Sequence, residues 1–449
     1  MHKQKNIKKF LIIQVALSVV ALILPLQIFA QETVAESSFT PYSLFGIGDL
    51  VKQGTAYNRS MGGIGIGDRN NRFINYLNPA AVTARDTLSF LLDFGIEQKN
   101  TYYSAMPASA IVSSSTDKLT SANNICNMHH IIATFPIYKK SAFKIGIAPF
   151  SDVGYKFISS ETDKDIISEI GDIKYQRVGQ GGIYQTFIGA GATFFDRLSV
   201  GADVMYYFGT INRYSSAYFT TNSAYRTIKS GWTYVARGFS GKFGFQYEQP
   251  LSSTLSMTIG GTYKLASNLG GDISRYAYGI STNETDTISY DKKDMTTLTI
   301  PQEIGIGITL RKTDKWMVGF DYTRQDWSNT TFEETPGVDF SPVLAQSFKA
   351  GFEFTPNRYD VRYYSKSITY RGGAYYDQSY FSLNGNQINS MGITFGVSLP
   401  IFRWYNSLTI GVDVGQRGTL ANNMIREQYF LFTLALNLHD IWFIKPLYN

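Results

Sequence analysis

Ile304-Gly305-Ile306-Gly307-Ile308-Thr309-Leu310 is the stretch on which the fold turns. Every second residue is branched and apolar, and the residues between are small or polar. A period of two places the two sets on opposite faces of a strand. The pattern returns in Leu408, Ile410, Val412 and Val414, which alternate with Thr409, Gly411, Asp413 and Gly415. It returns again in Phe430, Phe432, Leu434, Leu436 and Leu438. The apolar face is uniform, whereas the other carries Gly, Thr, Ser, Asp and Lys. One such strand fits a soluble sandwich. A succession of them from 88 to 438 points to a sheet closed in lipid around a wet interior, because an open edge would leave backbone groups unsatisfied there.

Alternation and turn signals predict about 14 strands, near 88–98, 129–138, 142–150, 182–194, 198–208, 235–248, 253–264, 300–311, 315–325, 345–355, 366–376, 390–399, 407–416 and 428–438. Tight turns at 136–141, 195–197, 249–252 and 312–314 alternate with long polar links at 99–128, 151–181, 209–234, 265–299 and 326–344. Every second connection of an up-and-down barrel lies on one rim, so this rhythm predicts a transmembrane antiparallel β-barrel. An even strand number puts both barrel ends on the periplasmic rim of an outer membrane, where turns are short.

The N-terminus agrees with that compartment. Lys3, Lys5, Lys8 and Lys9 precede an apolar run from Leu11 to Phe29, and Ala30 precedes Gln31. Residues 1–30 read as a cleaved signal peptide, and Pro25 argues against a retained anchor. No Cys follows the run, so a lipoprotein is not expected. The chain carries 41 basic and 35 acidic residues, +6. Without the four signal lysines the balance is 37 to 35, or +2, too even for a nucleic-acid partner. Cys126 is the sole cysteine, which excludes an intrachain disulfide and a Cys-based metal site. The 31 Tyr and 31 Phe suit aromatic girdles at the two membrane interfaces.

Charge on the lipid face would cost roughly 2–4 kcal/mol for a Lys at mid-depth. Asp203, Lys242, Asp321, Lys349, Glu353 and Asp413 are therefore placed in the lumen. Three of them belong to a recurrence: Gly201-Ala202-Asp203, Gly319-Phe320-Asp321 and Gly411-Val412-Asp413. Pairing with Lys242, Lys349 or Arg311 is the favoured reading of these acids, and a ring that tunes passage is the other. Catalysis finds little support. His129, His130 and His439 are the only histidines after the signal, and neighbours in a regular strand face opposite ways, so His129 and His130 should not share a site. No enzyme activity, metal or cofactor is expected.

Residues 31–87 lack alternation and are rich in Gly and Asn. They contain Met61-Gly62-Gly63-Ile64-Gly65-Ile66-Gly67 and Asn78-Pro79-Ala80. A phosphate loop would need a preceding strand and a following helix, and neither is present. A barrel of this size leaks unless filled, so 31–87 is expected to be a luminal plug.

The signal peptide, the Gly-rich Met61–Gly67, Asn78-Pro79-Ala80 and the strand count together resemble the FadL/OmpP1/TodX outer-membrane transporters of hydrophobic compounds. The resemblance implies a hatch at 31–87, a barrel at 88–438 and passive uptake of a hydrophobic or amphipathic small molecule, such as a long-chain fatty acid. It implies capture at external loops and lateral exit into outer-membrane lipid through a gap at a kink in the third strand. Here that strand holds Pro149, Phe150 and Gly154, of which Pro149 cannot donate to the ladder. From the residues alone, the strand could equally end at Pro149. A monomer is expected. The chain departs from the family in its tail, 439–449, expected to lie in the periplasm, and in a longer hatch. A FadL-fold component of a protein secretion or surface-anchoring system is the alternative function.

Overall fold

The computed structural model describes residues 39–85, 89–106, 118–219, 225–281, 284–332, 338–401 and 406–441. The signal-peptide reading and most of the expected tail lie outside these residues. Strand β1 (Asp49–Leu50) belongs to the N-terminal segment. The wall follows as β2 (Ser89–Ala105), β3 (Leu119–Tyr138), β4 (Ser141–Ser160), β5 (Ile173–Phe194), β6 (Leu198–Phe219) and β7 (Thr227–Pro250). Two interrupted strands come next, β8 (Leu255–Lys264) with β9 (Ser267–Ile280), and β10 (Thr285–Ile300) with β11 (Glu303–Lys312). Strand β12 (Trp316–Asp326), the short β13 (Phe340–Pro342), β14 (Leu344–Phe354), β15 (Thr369–Leu383), β16 (Asn386–Pro400), β17 (Ser407–Arg417) and β18 (Arg426–Ile441) complete it. With each interrupted pair taken as one, and β1 and β13 set aside, the wall has 14 antiparallel strands. It closes where β18 pairs with β2, from Arg426↔Ser104 to Ile441↔Ser89.

The closed ladder explains the alternating faces. Ile304, Ile306, Ile308, Val318, Phe320 and Phe352 are exposed on the outer surface. Thr309, Asp321, Glu353 and Asp413, from the complementary sets, are buried inside. All 14 expected strands are present, but most are longer than the alternation indicated. The expected links 99–128, 151–181, 209–234 and 265–299 are largely ladder. Strand β5 pairs with β6 without interruption from Ile173↔Phe219 to Phe194↔Leu198. Beyond the lipid, a strand has water on its outer side, so the apolar half of the pattern fades while the hydrogen bonding continues.

The alternation of link lengths also fails in the C-terminal third. Strands β15 and β16 join on the long-link rim through Asn384-Gly385, with φ of 48° and 74°, a tight turn that Asn-Gly favours. On the opposite rim, 355–368 forms a long link. Strand β18 runs through Ile441, so 439–441 are ladder residues rather than tail.

Residues 39–85 lie within the wall. Their short helix α1 (Ala56–Arg59) packs against β17 and β18, and the 3₁₀ turn Pro79–Thr83 against β4, β5, β6 and β7. Most of the segment is buried, including Tyr57, Met61, Ile64 and Ala80.

Candidate functional site

This segment presents its own backbone to the wall, largely to wall side chains. Gly62 and Gly63 take φ of 69° and 87°, a left-handed turn that favours glycine. It brings the Gly62 N–H to Thr394 Oγ1 at 2.7 Å. The Gly65 and Ile66 N–H groups both donate to Asp321 Oδ2, at 2.6 and 2.8 Å. The Gly67 carbonyl accepts from Thr309 Oγ1 at 2.8 Å. Asn78 caps the turn that Pro79 opens, its Oδ1 accepting from the Ala80 N–H at 3.0 Å. Asn78 Nδ2 donates to the Ile66 and Phe245 carbonyls at 2.8 and 3.0 Å. A Cβ on Gly201 would stand 2.5 Å from the Pro79 carbonyl, so the wall is glycine where the segment presses on it.

The Gly-x-Asp recurrence now has a geometry. Gly and Asp two apart share the inner face. Gly201 and Gly319 admit the segment at Pro79 and Ile64, and each acid reaches a partner. Asp321 holds Gly65 and Ile66, and Asp413 pairs with Lys52 at 2.9 Å. Asp203 pairs with Lys144 at 3.0 Å, and Lys144 also reaches the Tyr76 carbonyl at 3.4 Å. The expected partners were Lys242, Lys349 or Arg311, but two of the three acids bind the N-terminal segment and Asp203 takes Lys144. Lys242 lies across the ladder from Asp203, and Lys349 across from Asp321. Glu353 pairs with Arg311 at 3.1 Å and Arg371 at 2.9 Å.

Sequence reasoning missed the other half of that cluster. Arg311 also binds Asp68 at 2.7 Å and the Tyr57 hydroxyl at 3.2 Å. Tyr57 and Phe73 stack at 4.6 Å, and the Arg371 guanidinium lies 4.6 and 4.5 Å from their rings. Arg311 and Arg371, 60 residues apart in the chain, meet over one buried Asp and one Glu. A basic residue on an alternating strand's inner face was the available signal, but its partner lay in the segment without periodicity.

Above these anchors a cavity of about 320 Å³ remains. Lys52, Glu97, Lys242, Lys264, Glu303 and Asp377 line it, together with Phe150, Phe187 and Met205. Lys264 pairs with Glu303 at 3.0 Å, and Arg59 with Glu97 at 2.5 Å. The lining is amphipathic.

One seam of the wall beside this cavity is short. Strand β3 pairs with β4 only from Tyr138↔Ser141 to Ile131↔Ile147. Strand β4 does not end at Pro149; it continues on β5 to Ser160, with a register shift between Pro149 and Ser151. Phe150 is buried there and packs on Tyr207 at 4.9 Å. The free side of β4 is taken by the N-terminal segment: Asp49 opposes Asp152, and Leu50 opposes Ser151. The Val51 N–H donates to the Phe150 carbonyl at 3.0 Å, and Gln53 Nε2 to the Pro149 carbonyl at 3.0 Å. The Thr40 N–H reaches the Gly154 carbonyl at 2.8 Å. Residues 49–53 therefore sit in the split between β3 and β4.

His129 and His130 stand at its foot, and here the sequence expectation is corrected. The register shifts between Gly95 and Ile96 of the partner strand, which leaves His129 as an extra residue on β3. A bulge breaks the alternation, so both rings are buried inside. Their Nδ1 atoms are 2.8 Å apart; His130 Nε2 meets Asp93 at 2.7 Å, and His129 Nε2 meets the Lys52 carbonyl at 3.4 Å.

A family profile described as BamG matches residues 7–449. The chain belongs to the BamG family. Among curated proteins nothing matches. Solved structures similar to this BamG-family chain include the toluene transporter TbuX of Ralstonia pickettii, 14% identical, covering 85% of this chain and 97% of that one with a TM-score of 0.53. The Pseudomonas putida toluene transporter TodX is 13% identical over 87% and 99%, with a TM-score of 0.54. A Pseudomonas aeruginosa FadL homologue is 11% identical over 88% and 100%, with a TM-score of 0.53. At these identities the likeness is one of fold. The BamG-family chain thus has the FadL-type barrel that its motifs resembled.

Proposed function

We propose that this protein is an outer-membrane channel for passive uptake of hydrophobic or amphipathic small molecules, captured at the external mouth and released sideways at strand β4. The observation that carries this reading is the β3–β4 seam, whose ladder stops at Ile131↔Ile147. Lateral release lets an apolar ligand avoid a second passage through water. The amphipathic chamber, with Lys242 and Lys264 near Phe150 and Phe187, favours a ligand with an anionic head and an apolar body, such as a fatty acid. Residues 49–53 occupy the seam, so exit requires them to leave β4.

A disulfide across the Asp49↔Asp152 pair tests this. In Asp49→Cys/Asp152→Cys, with Cys126→Ser to remove the native thiol, uptake of a fluorescent fatty acid should fall at least tenfold when oxidised and return on reduction. Equal uptake in both states refutes lateral release.

A second reading is a FadL-fold component of a protein secretion or surface-anchoring system. The ion pairs that hold residues 39–85 in the lumen favour it, since a firmly seated plug suits a scaffold. Retention of full cellular function by the oxidised disulfide variant would select this reading.

A further inference from the structure

On the rim that carries both barrel ends, the links 139–140, 195–197, 251–254 and 313–315 are two to four residues long. The link 401–406 has six, and 355–368, between β14 and β15, has fourteen. It reads Thr355-Pro356-Asn357-Arg358-Tyr359-Asp360-Val361-Arg362-Tyr363-Tyr364-Ser365-Lys366-Ser367-Ile368. Its apolar side chains point out of the molecule: Val361 is 91% exposed, Tyr364 55%, and Tyr359 and Tyr363 53% and 52%.

The loop is nevertheless fixed. The Asn357 N–H donates to the Lys366 carbonyl at 2.8 Å, closing its neck. Asp360 Oδ1 accepts from the Arg362 and Tyr363 N–H groups at 2.9 and 2.7 Å, and Lys366 pairs with Asp360 at 3.6 Å. Helix α2 (Tyr364–Ser367) follows, and the Tyr364 hydroxyl donates to the Pro400 carbonyl at 2.9 Å. Ordering such side chains in advance removes part of the entropic cost of association.

We propose that this loop docks a soluble periplasmic protein that offers an apolar pocket rimmed with carboxylates. The orientation rests on the outer-membrane placement above. Tyr and Arg are the side chains that dominate protein interfaces, and here they surround a projecting Val361. The loop carries Arg358, Arg362 and Lys366 against Asp360. Arg358 is engaged with Asp314 at 3.3 Å and Lys366 with Asp360, which leaves Arg362 to set the sign of the outer surface. A basic rim selects an acidic partner and speeds its approach.

The loop is also tied to the plug. The Tyr359 hydroxyl donates to Asp314 Oδ2 at 3.0 Å and accepts from Arg72 Nη2 at 3.0 Å; Arg72 itself pairs with Asp314 at 3.4 Å. Arg72 belongs to the N-terminal segment. A partner that shifts Tyr359 therefore acts on the base of the plug.

The experiment places a photo-crosslinking amino acid at Val361, and at the equally exposed Phe195 on the same rim as a control, in the full-length protein in cells. Position 361 should give one defined protein adduct and position 195 none. The adduct should disappear in Arg362→Glu. The partner, once purified, should bind nanodisc-embedded protein at least tenfold more weakly after Tyr363→Ala/Tyr364→Ala or Arg362→Glu, at equal outer-membrane levels of heat-resistant folded barrel. Adducts to lipid alone, no adduct, equal adducts at both positions, or binding indifferent to both variants would overturn the proposal. Lipid adducts would assign Tyr363 and Tyr364 to the interfacial aromatic girdle.

Discussion

Two regions of the inner wall handle the same N-terminal segment in opposite ways. Along β11, β12, β14 and β15, the ladder is complete and the segment is pinned to its inner face. Asp321 takes two backbone N–H groups, and Arg311 and Arg371 gather Asp68 and Glu353. At β3 and β4 the ladder is incomplete, and the segment becomes part of the wall by supplying β1 and residues 51–53. In the first region, strand pairing is satisfied without the segment. In the second, the segment completes the pairing of β4. On the proposed function, a segment firmly held on one side and exchanged for a strand partner on the other would open the seam without leaving the barrel.

Deleting 31–87 breaks both regions and has the largest expected effect. Planar-bilayer recordings should show a large, persistent rise in conductance to small ions, because the lumen loses its filling. A conductance equal to the intact protein would refute the plug.

Arg311→Met breaks only the pinned side. It leaves Asp68 and part of Glu353 buried without their cation, a loss of about 3–5 kcal/mol for a broken buried pair. The expected result is intermittent opening in bilayers and proteolysis within 39–85, with the barrel itself still folded.

The smallest effect sharpens the comparison. Asp321→Asn keeps an oxygen acceptor for Gly65 and Ile66 but removes its charge, which should cost about 1–2 kcal/mol as charge-assisted bonds become neutral ones. Hydrogen exchange should rise at Gly65 and Ile66 and stay unchanged at Val51, which is bonded at the seam. Equal rises at both places would mean that the plug moves as one body.

Much of this was legible in the chain. Ile304–Leu310 and its relatives disclose strand number and facing, because lipid demands an apolar outer surface at every second residue whatever the neighbours are. The same demand places Asp203, Lys242, Asp321, Lys349, Glu353 and Asp413 inside. Asn78-Pro79-Ala80 announces its own turn, since the cap and the ring act within four residues. Where lipid ends, the constraint ends, and 151–181 and 209–234 read as loops although they are ladder. The His129-His130 expectation failed for a related reason. Alternation assumes an unbroken register, and a bulge is decided by what β2 and β3 must pack between them.

The sequence alone thus determined the barrel, its inside and outside, and a non-periodic segment ahead of it, all consequences of local period and solvent. Only the tertiary structure decided which acid holds which cation, that glycines at 201 and 67 lie where two backbones touch, and that β4 trades β3 for residues 49–51. Those contacts join positions up to hundreds of residues apart, and no local preference of either partner specifies the other.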